Sequence, residues 1–124
     1  TWDDHDYGQN DGGKFYTQRY ASKKLAATFL GFGPDHEVWT HDGLYNSHKL
    51  GKGKRHLHII NLDTRFFRDT LQRAYTLDSI TQERRYRYVV AAGDILGEGQ
   101  WQWLDRQLNE STASIIFINS SIQI

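Results

Sequence analysis

The chain has 124 residues, 15 basic and 15 acidic side chains and a hydrophobic content of 38%, which is the size and composition of one domain with a packed core. Balanced charge excludes a general field for nucleic acid or anionic lipid, so any anion must be bound locally, and the absence of cysteine excludes disulfides and thiolate metal sites. No apolar run approaches the length of a bilayer span, so we expect no membrane-spanning segment.

The first feature along the chain is a polar cluster, because residues 1–11 read TWDDHDYGQND. Carboxylates around one imidazole are the composition of a hard-metal site or an acid/base site. The spacing excludes an EF-hand loop starting at Asp4, since its fifth position is Gly8 and its twelfth is Phe15. An acidic turn whose carboxylates cap backbone amides is the alternative, and both interpretations stay open.

A helix is predicted over residues 17–30, where apolar side chains recur at helical spacing. Thr17 is a possible N-cap, and Gly31, Gly33 and Pro34 are expected to end the helix.

A β-hairpin is predicted next, because the segments 43–50 and 56–62 flank a Gly-Lys-Gly-Lys turn at residues 51–54. The second strand leads into Asp-Thr-Arg at residues 63–65. In α/β folds ligands bind just past the ends of strands, so these polar groups are candidates for a site.

The middle of the chain has no clean period. Residues 65–78 mix apolar and basic side chains, and residues 79–87 contain three arginines in close succession. We expect this region to be irregular or partly helical.

A second helix is predicted after residue 99, because Trp101, Leu104 and Leu108 recur at helical spacing up to about Ser111. Tryptophans two positions apart point to different sides of a helix. We expect Trp101 to pack in the core and Trp103 to be partly buried.

Residues 115–124 read IIFINSSIQI, which predicts a buried strand with neighbours on both sides. Helical and strand patterns together indicate an α/β class, with no repeat or linker to divide residues 1–124. The densest polar cluster and an apolar strand at the two ends favour the middle of a larger α/β domain.

Five histidines lie outside the N-terminal polar cluster. His56 and His58 form a His-x-His pair, for which a solvated strand face is favoured over metal binding. Three others stand singly and are expected at the surface: His36, His41 and His48.

Four segments together carry a resemblance to a known family: WDDHDYGxND at 2–11, LDTRFFR at 62–68, GDILGExQWxWL at 93–104 and SSIQ at 120–123. In this order they closely resemble the PhoD-like (alkaline phosphatase D) family of the calcineurin-like metallophosphoesterases. The resemblance implies a fragment of a four-layer α/β/β/α sandwich, with the metal site at the strand ends. It also implies metal-dependent hydrolysis of phosphate monoesters or diesters, and makes residues 1–124 the central part of one such domain.

The resemblance also implies roles within the first cluster. Asp4 takes the position of a metal-binding asparagine in the wider superfamily, and His5 that of a histidine that stabilises the transition state or acts as the acid. Asp6 is expected to orient His5 from behind. Asp3 is either a second candidate ligand or a group that supports the ligands without binding the metal. Asn10 is a candidate ligand or phosphate contact.

Arg65 follows a strand, and its guanidinium suits a phosphate. An ion pair with Asp63 or another acid is an equally weighted alternative, whereas Arg68 is expected to be solvated. Ser121 and Gln123 stand where the wider superfamily delivers a metal-binding histidine, so a polar contact is expected there rather than a direct ligand.

The implied cofactors are two or more metal ions, with calcium and iron favoured over zinc or manganese. The implied partners are a small phosphate ester or a phosphodiester polymer, without specific nucleic-acid recognition. Many members of the family are exported or surface-attached, which favours that location by resemblance alone.

Part of the family's metal centre has no counterpart in these 124 residues. The superfamily's early aspartate motifs, including the carboxylate that bridges both metals, and its final histidine motif are missing. The chain alone is therefore expected to be inactive, and the activity is expected of its full-length parent. The competing hypothesis is a non-catalytic α/β module in which the acidic loop binds calcium or caps the fold.

Overall fold

The chain is a mixed α/β structure with two sheets and three helices over the residues that its computed structural model describes, 1–52, 55–89 and 93–122. The helices are α1 (Asp4–Tyr7), α2 (Arg19–Phe29) and α3 (Glu98–Asn109), with a 3-10 turn at Glu37–Trp39. The strands are β1 (Asn46–Lys52), β2 (Arg55–Asn61), β3 (Gln72–Leu77), β4 (Arg84–Val89) and β5 (Ile115–Asn119). This confirms the mixed α/β class, and the four-layer sandwich stays a prediction.

The larger sheet has the order β1-β2-β5, with β1 antiparallel and β5 parallel to β2. The predicted hairpin is confirmed, although its turn residues Gly53 and Lys54 lie outside the described residues. Gly51 lies inside β1 at φ 102°, and a Cβ there would come within 2.5 Å of the Arg55 carbonyl oxygen. This close approach explains why glycine occupies the strand position.

Residues 115–124 were predicted to form a buried strand, and the predicted burial is wrong. β5 forms as expected, but all of its side chains are exposed, including Phe117 at 54%. Within the described part of the chain β5 pairs only with β2 and lies at the edge of the sheet. An apolar run specifies a strand, but its burial depends on which layers cover it. Gln123 and Ile124 lie outside the described residues.

The prediction of irregular or partly helical structure over residues 65–87 is wrong at β3 and β4, which form a second antiparallel hairpin, whereas residues 65–71 and 78–83 lie outside helices and strands. Tyr75 lies opposite Tyr86, with ring centroids 6.1 Å apart. Most side chains of this hairpin are exposed on both faces. The sequence therefore lacks the apolar and polar alternation that marks a strand with one buried face.

Both predicted helices are confirmed with shifted starts. The cap of α2 is Gln18, so Thr17 is not the N-cap, and α2 ends before Gly31, which has φ 75°. α3 begins at Glu98, after Gly97 at φ 74°.

The expected roles of the two tryptophans in α3 are reversed. Trp103 is 6% exposed and packs against Tyr45 with ring centroids 4.7 Å apart, whereas Trp101 is 50% exposed. The Trp101 indole N–H donates to Asp94 Oδ1 at 2.9 Å. Helical spacing defined the two sides of α3, but only the position of the sheet decided which side is covered.

Two histidines differ in burial from what was expected. His58 is fully buried, with Nδ1 3.0 Å from Ser111 Oγ, so the prediction of a solvated strand face is wrong for this residue. His41 is partly buried and stacks on Tyr45 at 3.9 Å, so it is not a simple surface residue. His48 is exposed, as predicted.

Two buried clusters form the core, and Phe67 packs against both. One lies beneath α1 and α2, and the other lies between β2 and α3. Their members are Trp2, Tyr7, Ala27, Val38, Leu44 and Phe66 in the first, and Tyr45, Ile60, Leu62, Leu96, Trp103 and Leu104 in the second. Among the described residues no helix is long and apolar enough to cross a membrane.

Candidate functional site

The N-terminal cluster is held against the segment that follows β2. Trp2 is 3% exposed, and its indole N–H donates to Asp63 Oδ1 at 2.9 Å. The hydroxyl of Thr1 donates to the carbonyl oxygen of Leu62. These contacts join residues more than sixty positions apart, so they place the cluster next to the predicted strand-end site.

Asp63 organises this junction, a role that sequence reasoning missed. Its carboxylate is fully buried and accepts four hydrogen bonds between 2.7 and 2.9 Å. The donors are Trp2 Nε1 and the backbone N–H groups of Leu44, Arg65 and Phe66. A buried carboxylate whose two oxygens both accept hydrogen bonds from inside the fold is a structural group. The available signal was an aspartate directly after a strand, where it can cap the following turn.

The other two resembling segments also reach this junction. Gln100 of α3 is fully buried and bonds both the N–H and the carbonyl oxygen of Asp63, each at 2.8 Å. Thr64 Oγ1 lies 2.6 Å from Ser121 Oγ, so the polar contact expected at Ser121 is present. The four sequence segments therefore meet around residues 63–65.

Arg65 forms an ion pair with Asp3. Of the two interpretations of Arg65, phosphate contact or ion pair, this is the ion pair, and its acid is not Asp63. Arg65 Nε donates to Asp3 Oδ1 at 2.9 Å, and Nη2 donates to the same oxygen. The Arg65 side chain is only 8% exposed, whereas that of Asp3 is 49% exposed. The guanidinium thus holds Asp3 at the site edge.

Arg68 is buried, which corrects the expectation that it is solvated. It is 1% exposed, and its Nη2 donates to the carbonyl oxygens of Asp11 and Gly12, at 2.9 Å for Gly12. A guanidinium whose donors reach backbone carbonyls can be buried. Arg68 fixes the loop that follows α1.

Asp4, the first candidate ligand, closes this loop. Its Oδ1 accepts from the His5 N–H and its Oδ2 from the Asp11 N–H, both at 3.0 Å. The bond from Asp11 lowers the pKa of the Asp4 carboxyl, with the nearby Arg65 charge acting in the same direction. Asp4 is therefore an anion at neutral pH, and each oxygen retains a lone pair for a further ligand.

His5 is exposed, with 86% of its side chain accessible. Its Nδ1 lies 3.4 Å from Asp4 Oδ1, so the carboxylate beside the imidazole is that of Asp4. The Asp6 carboxylate instead accepts from the Asp3 N–H at 3.1 Å, across the first turn of α1. The structure thus pairs His5 with a different carboxylate from the one predicted to orient it. Asn10 is exposed on the loop.

The described residues present only part of a metal-binding donor set. No group of three or more histidine, aspartate or glutamate side chains is arranged to hold a metal ion in the parts of the chain that the structure describes. Asp4 and His5 are the adjacent pair of oxygen and nitrogen donors at the site edge. They fit one side of a metal centre, and further ligands would be needed to complete it.

A cleft of about 200 Å³ opens beside the loop, between Asp11 and Phe15 on one side and Asp69 and Thr70 on the other. Asp69 forms an ion pair with Lys14 and accepts from the Asp94 N–H at 2.9 Å. These two donors lower the pKa of the Asp69 carboxyl, the lysine having the larger effect. Sequence reasoning did not single out Asp69, which joins the second and third resembling segments.

Comparisons of the chain with protein-family models, with curated proteins and with solved structures found no match. The resemblance to the PhoD-like family stays a prediction that rests on the four sequence segments.

Proposed function

We propose that the chain forms the central part of a PhoD-like metallophosphoesterase domain, and that the full-length protein hydrolyses phosphate monoesters or diesters. The observation that carries the proposal is the meeting of the four resembling segments at residues 63–65. Trp2 and Gln100 bond Asp63, Asp3 bonds Arg65, and Ser121 contacts Thr64. Segments that are remote in sequence and converge on one strand end are typical of an α/β site.

In such a centre, paired metal ions would hold phosphate oxygens and lower the pKa of a bound water. Asp4 fits an oxygen ligand, because it is ionised and each of its oxygens accepts only one hydrogen bond within the described part of the chain. His5 has an accessible imidazole that can donate a proton to a leaving oxygen or stabilise charge on phosphorus-bound oxygen. Arg65 acts indirectly in this proposal, because its guanidinium is occupied by Asp3.

A specific observation also favours the competing non-catalytic module. Asp4 and Asp6 accept from the backbone N–H groups of Asp11 and Asp3, as expected for an acidic turn that caps backbone amides. In that case the carboxylates stabilise the loop and bind at most a single calcium ion.

Hydrolysis by the full-length protein separates the two proposals. The assay measures p-nitrophenyl phosphate and bis-p-nitrophenyl phosphate turnover after addition of calcium, iron, manganese or zinc. We expect Asp4→Ala and His5→Ala each to lower kcat at least about 100-fold, in the range found when an electrostatic or acid/base group is removed.

Asp35→Ala and His48→Ala are the matched controls, because both residues are exposed and lie outside the site. These variants should retain wild-type kcat. Absence of metal-dependent hydrolysis in the wild-type full-length protein, or full activity of the Asp4 and His5 variants, would contradict the enzymatic proposal and leave the non-catalytic module.

A further inference from the structure

The hairpin β3–β4 forms a two-stranded ribbon, which we define as residues 72–77 and 84–89. Its six paired positions run from Gln72 opposite Val89 to Leu77 opposite Arg84. Tyr75 and Tyr86 are 52% and 53% exposed. A ribbon with large aromatic side chains left in solvent is typical of a binding surface rather than of a core element.

The charge of the ribbon differs from that of the whole chain. Its two strands contain four arginines and no carboxylate, although the chain as a whole has no net charge. Three carboxylates contact these arginines, Asp78 and Glu83 at Arg85 and Asp11 at Arg73. Four arginines against three carboxylates leave the ribbon with a small excess of positive charge, which fits the expectation that this protein binds anions locally rather than through a general field.

One face of the ribbon alternates arginine and tyrosine. The guanidinium of Arg84 lies 4.1 Å from the Tyr75 ring centroid, and that of Arg73 lies 4.8 Å from the Tyr86 ring centroid. The two rings lie opposite each other across the strands. Cation–π contacts hold each guanidinium against a ring, so the face is ordered before a ligand arrives.

The ribbon adjoins the candidate site. Arg73 Nη2 donates to Asp11 Oδ2 at 3.2 Å, and Asp11 belongs to the loop closed by Asp4. The same loop lines the cleft that reaches Thr70, two residues before β3. A polymer lying along the ribbon would therefore enter the cleft at one end.

We propose that the ribbon binds single-stranded nucleic acid, with bases stacking on Tyr75 and Tyr86 and a phosphate contacting Arg84, which lies on the same face of the ribbon. Aromatic rings among cationic side chains, with no carboxylate on the strands, match the alternating bases and phosphates of a single strand. Stacking accepts any base, which agrees with the expected lack of specific nucleic-acid recognition. As an assignment of the substrate class, this inference rests on the proposed phosphodiesterase function.

The test is fluorescence anisotropy of 5′-fluorescein-labelled dT12 titrated with the 124-residue chain in 50 mM salt and EDTA. We expect micromolar binding that Tyr75→Ala and Tyr86→Ala each weaken about 10-fold, whereas Tyr75→Phe and Tyr86→Phe remain within about 3-fold. Arg84→Gln should reduce the salt slope of log K by about 0.7, the value for one phosphate contact on a single strand.

Phe29→Ala and Arg106→Gln serve as matched controls, because both side chains are exposed on helices away from the ribbon. They should bind dT12 like the wild type. No binding at 100 μM chain, equal losses in the control variants, or equally effective competition by inorganic polyphosphate would each overturn the proposal, since polyphosphate has charge but no bases.

The binding assay contains no metal and follows no hydrolysis, so its result does not depend on whether the proposed function is correct. Loss of binding with intact metal-dependent hydrolysis in the full-length protein would reject the ribbon alone. Binding without hydrolysis would reject the phosphoesterase and leave the ribbon as a nucleic-acid surface.

Discussion

The side-chain amide of Gln100 pairs with the backbone of Asp63 through two hydrogen bonds of 2.8 Å. The Asp63 N–H donates to Gln100 Oε1, and Gln100 Nε2 donates to the Asp63 carbonyl oxygen. Gln100 Nε2 also donates to the Leu96 carbonyl oxygen at 3.1 Å. A single side chain thus satisfies both backbone polar groups of Asp63, just past the end of β2, and fixes α3 against this segment.

Replacing Gln100 with methionine keeps the volume of the side chain but removes both bonds to Asp63. Two buried backbone groups are then left without partners, so we expect the free energy of unfolding to fall by about 2–4 kcal/mol. Urea denaturation followed by circular dichroism measures this change. Gln102→Met is the control, since Gln102 is exposed on the same helix, and it should stay within about 0.5 kcal/mol of the wild type. Equal stability of the two variants would show that the Gln100 contacts do not hold α3.

Gly13 is expected to tolerate no side chain. A Cβ at this position would lie 2.4 Å from the Arg68 carbonyl oxygen, which already accepts from the Lys14 N–H at 2.9 Å. Gly13→Ala must displace backbone, and we expect a loss of about 1–3 kcal/mol in thermal or urea unfolding. Gly33→Ala has open space around its Cβ and provides the matched comparison. A Gly13→Ala variant as stable as Gly33→Ala would contradict the close approach of the two segments.

Stability should fall as the pH is lowered from 7 to 5. Burial lowers the pKa of His58, with the Lys49 charge in the same direction, and burial also lowers the pKa of His41. Below pH 6.5 the unfolded chain takes up protons that the folded chain does not, so the stability present above this pH is lost as the pH falls.

Urea unfolding across this pH range measures the effect. His58→Gln should flatten the dependence, whereas His48→Gln, at an exposed position, should leave it unchanged. A pH dependence that is the same in the His58 variant and the wild type would exclude His58 as a source.

Elements whose pattern reflects one covered face could be predicted from the sequence. The two long helices were predicted in this way, whereas the hairpin β1–β2 was predicted from its glycine-containing turn and β5 from its continuous apolar run. The β3–β4 ribbon was missed because most of its side chains are exposed on both faces. Burial was predicted less well, since Phe117 looks like a core residue and is exposed, whereas Arg68 looks like a surface residue and is buried.

The candidate site divides in the same way. Residue types and order within TWDDHD and LDTR identified Asp3, Asp4, His5 and Arg65 as residues to examine. The sequence alone determined the polar cluster, the local periodicities and the resemblance carried by four segments, because these depend only on neighbours along the chain. Only the tertiary structure decided that Asp3 pairs with Arg65 and that Trp2 and Gln100 form hydrogen bonds with Asp63. Those contacts join residues far apart in sequence, and a buried polar group takes whichever partner the packed core brings within hydrogen-bonding distance.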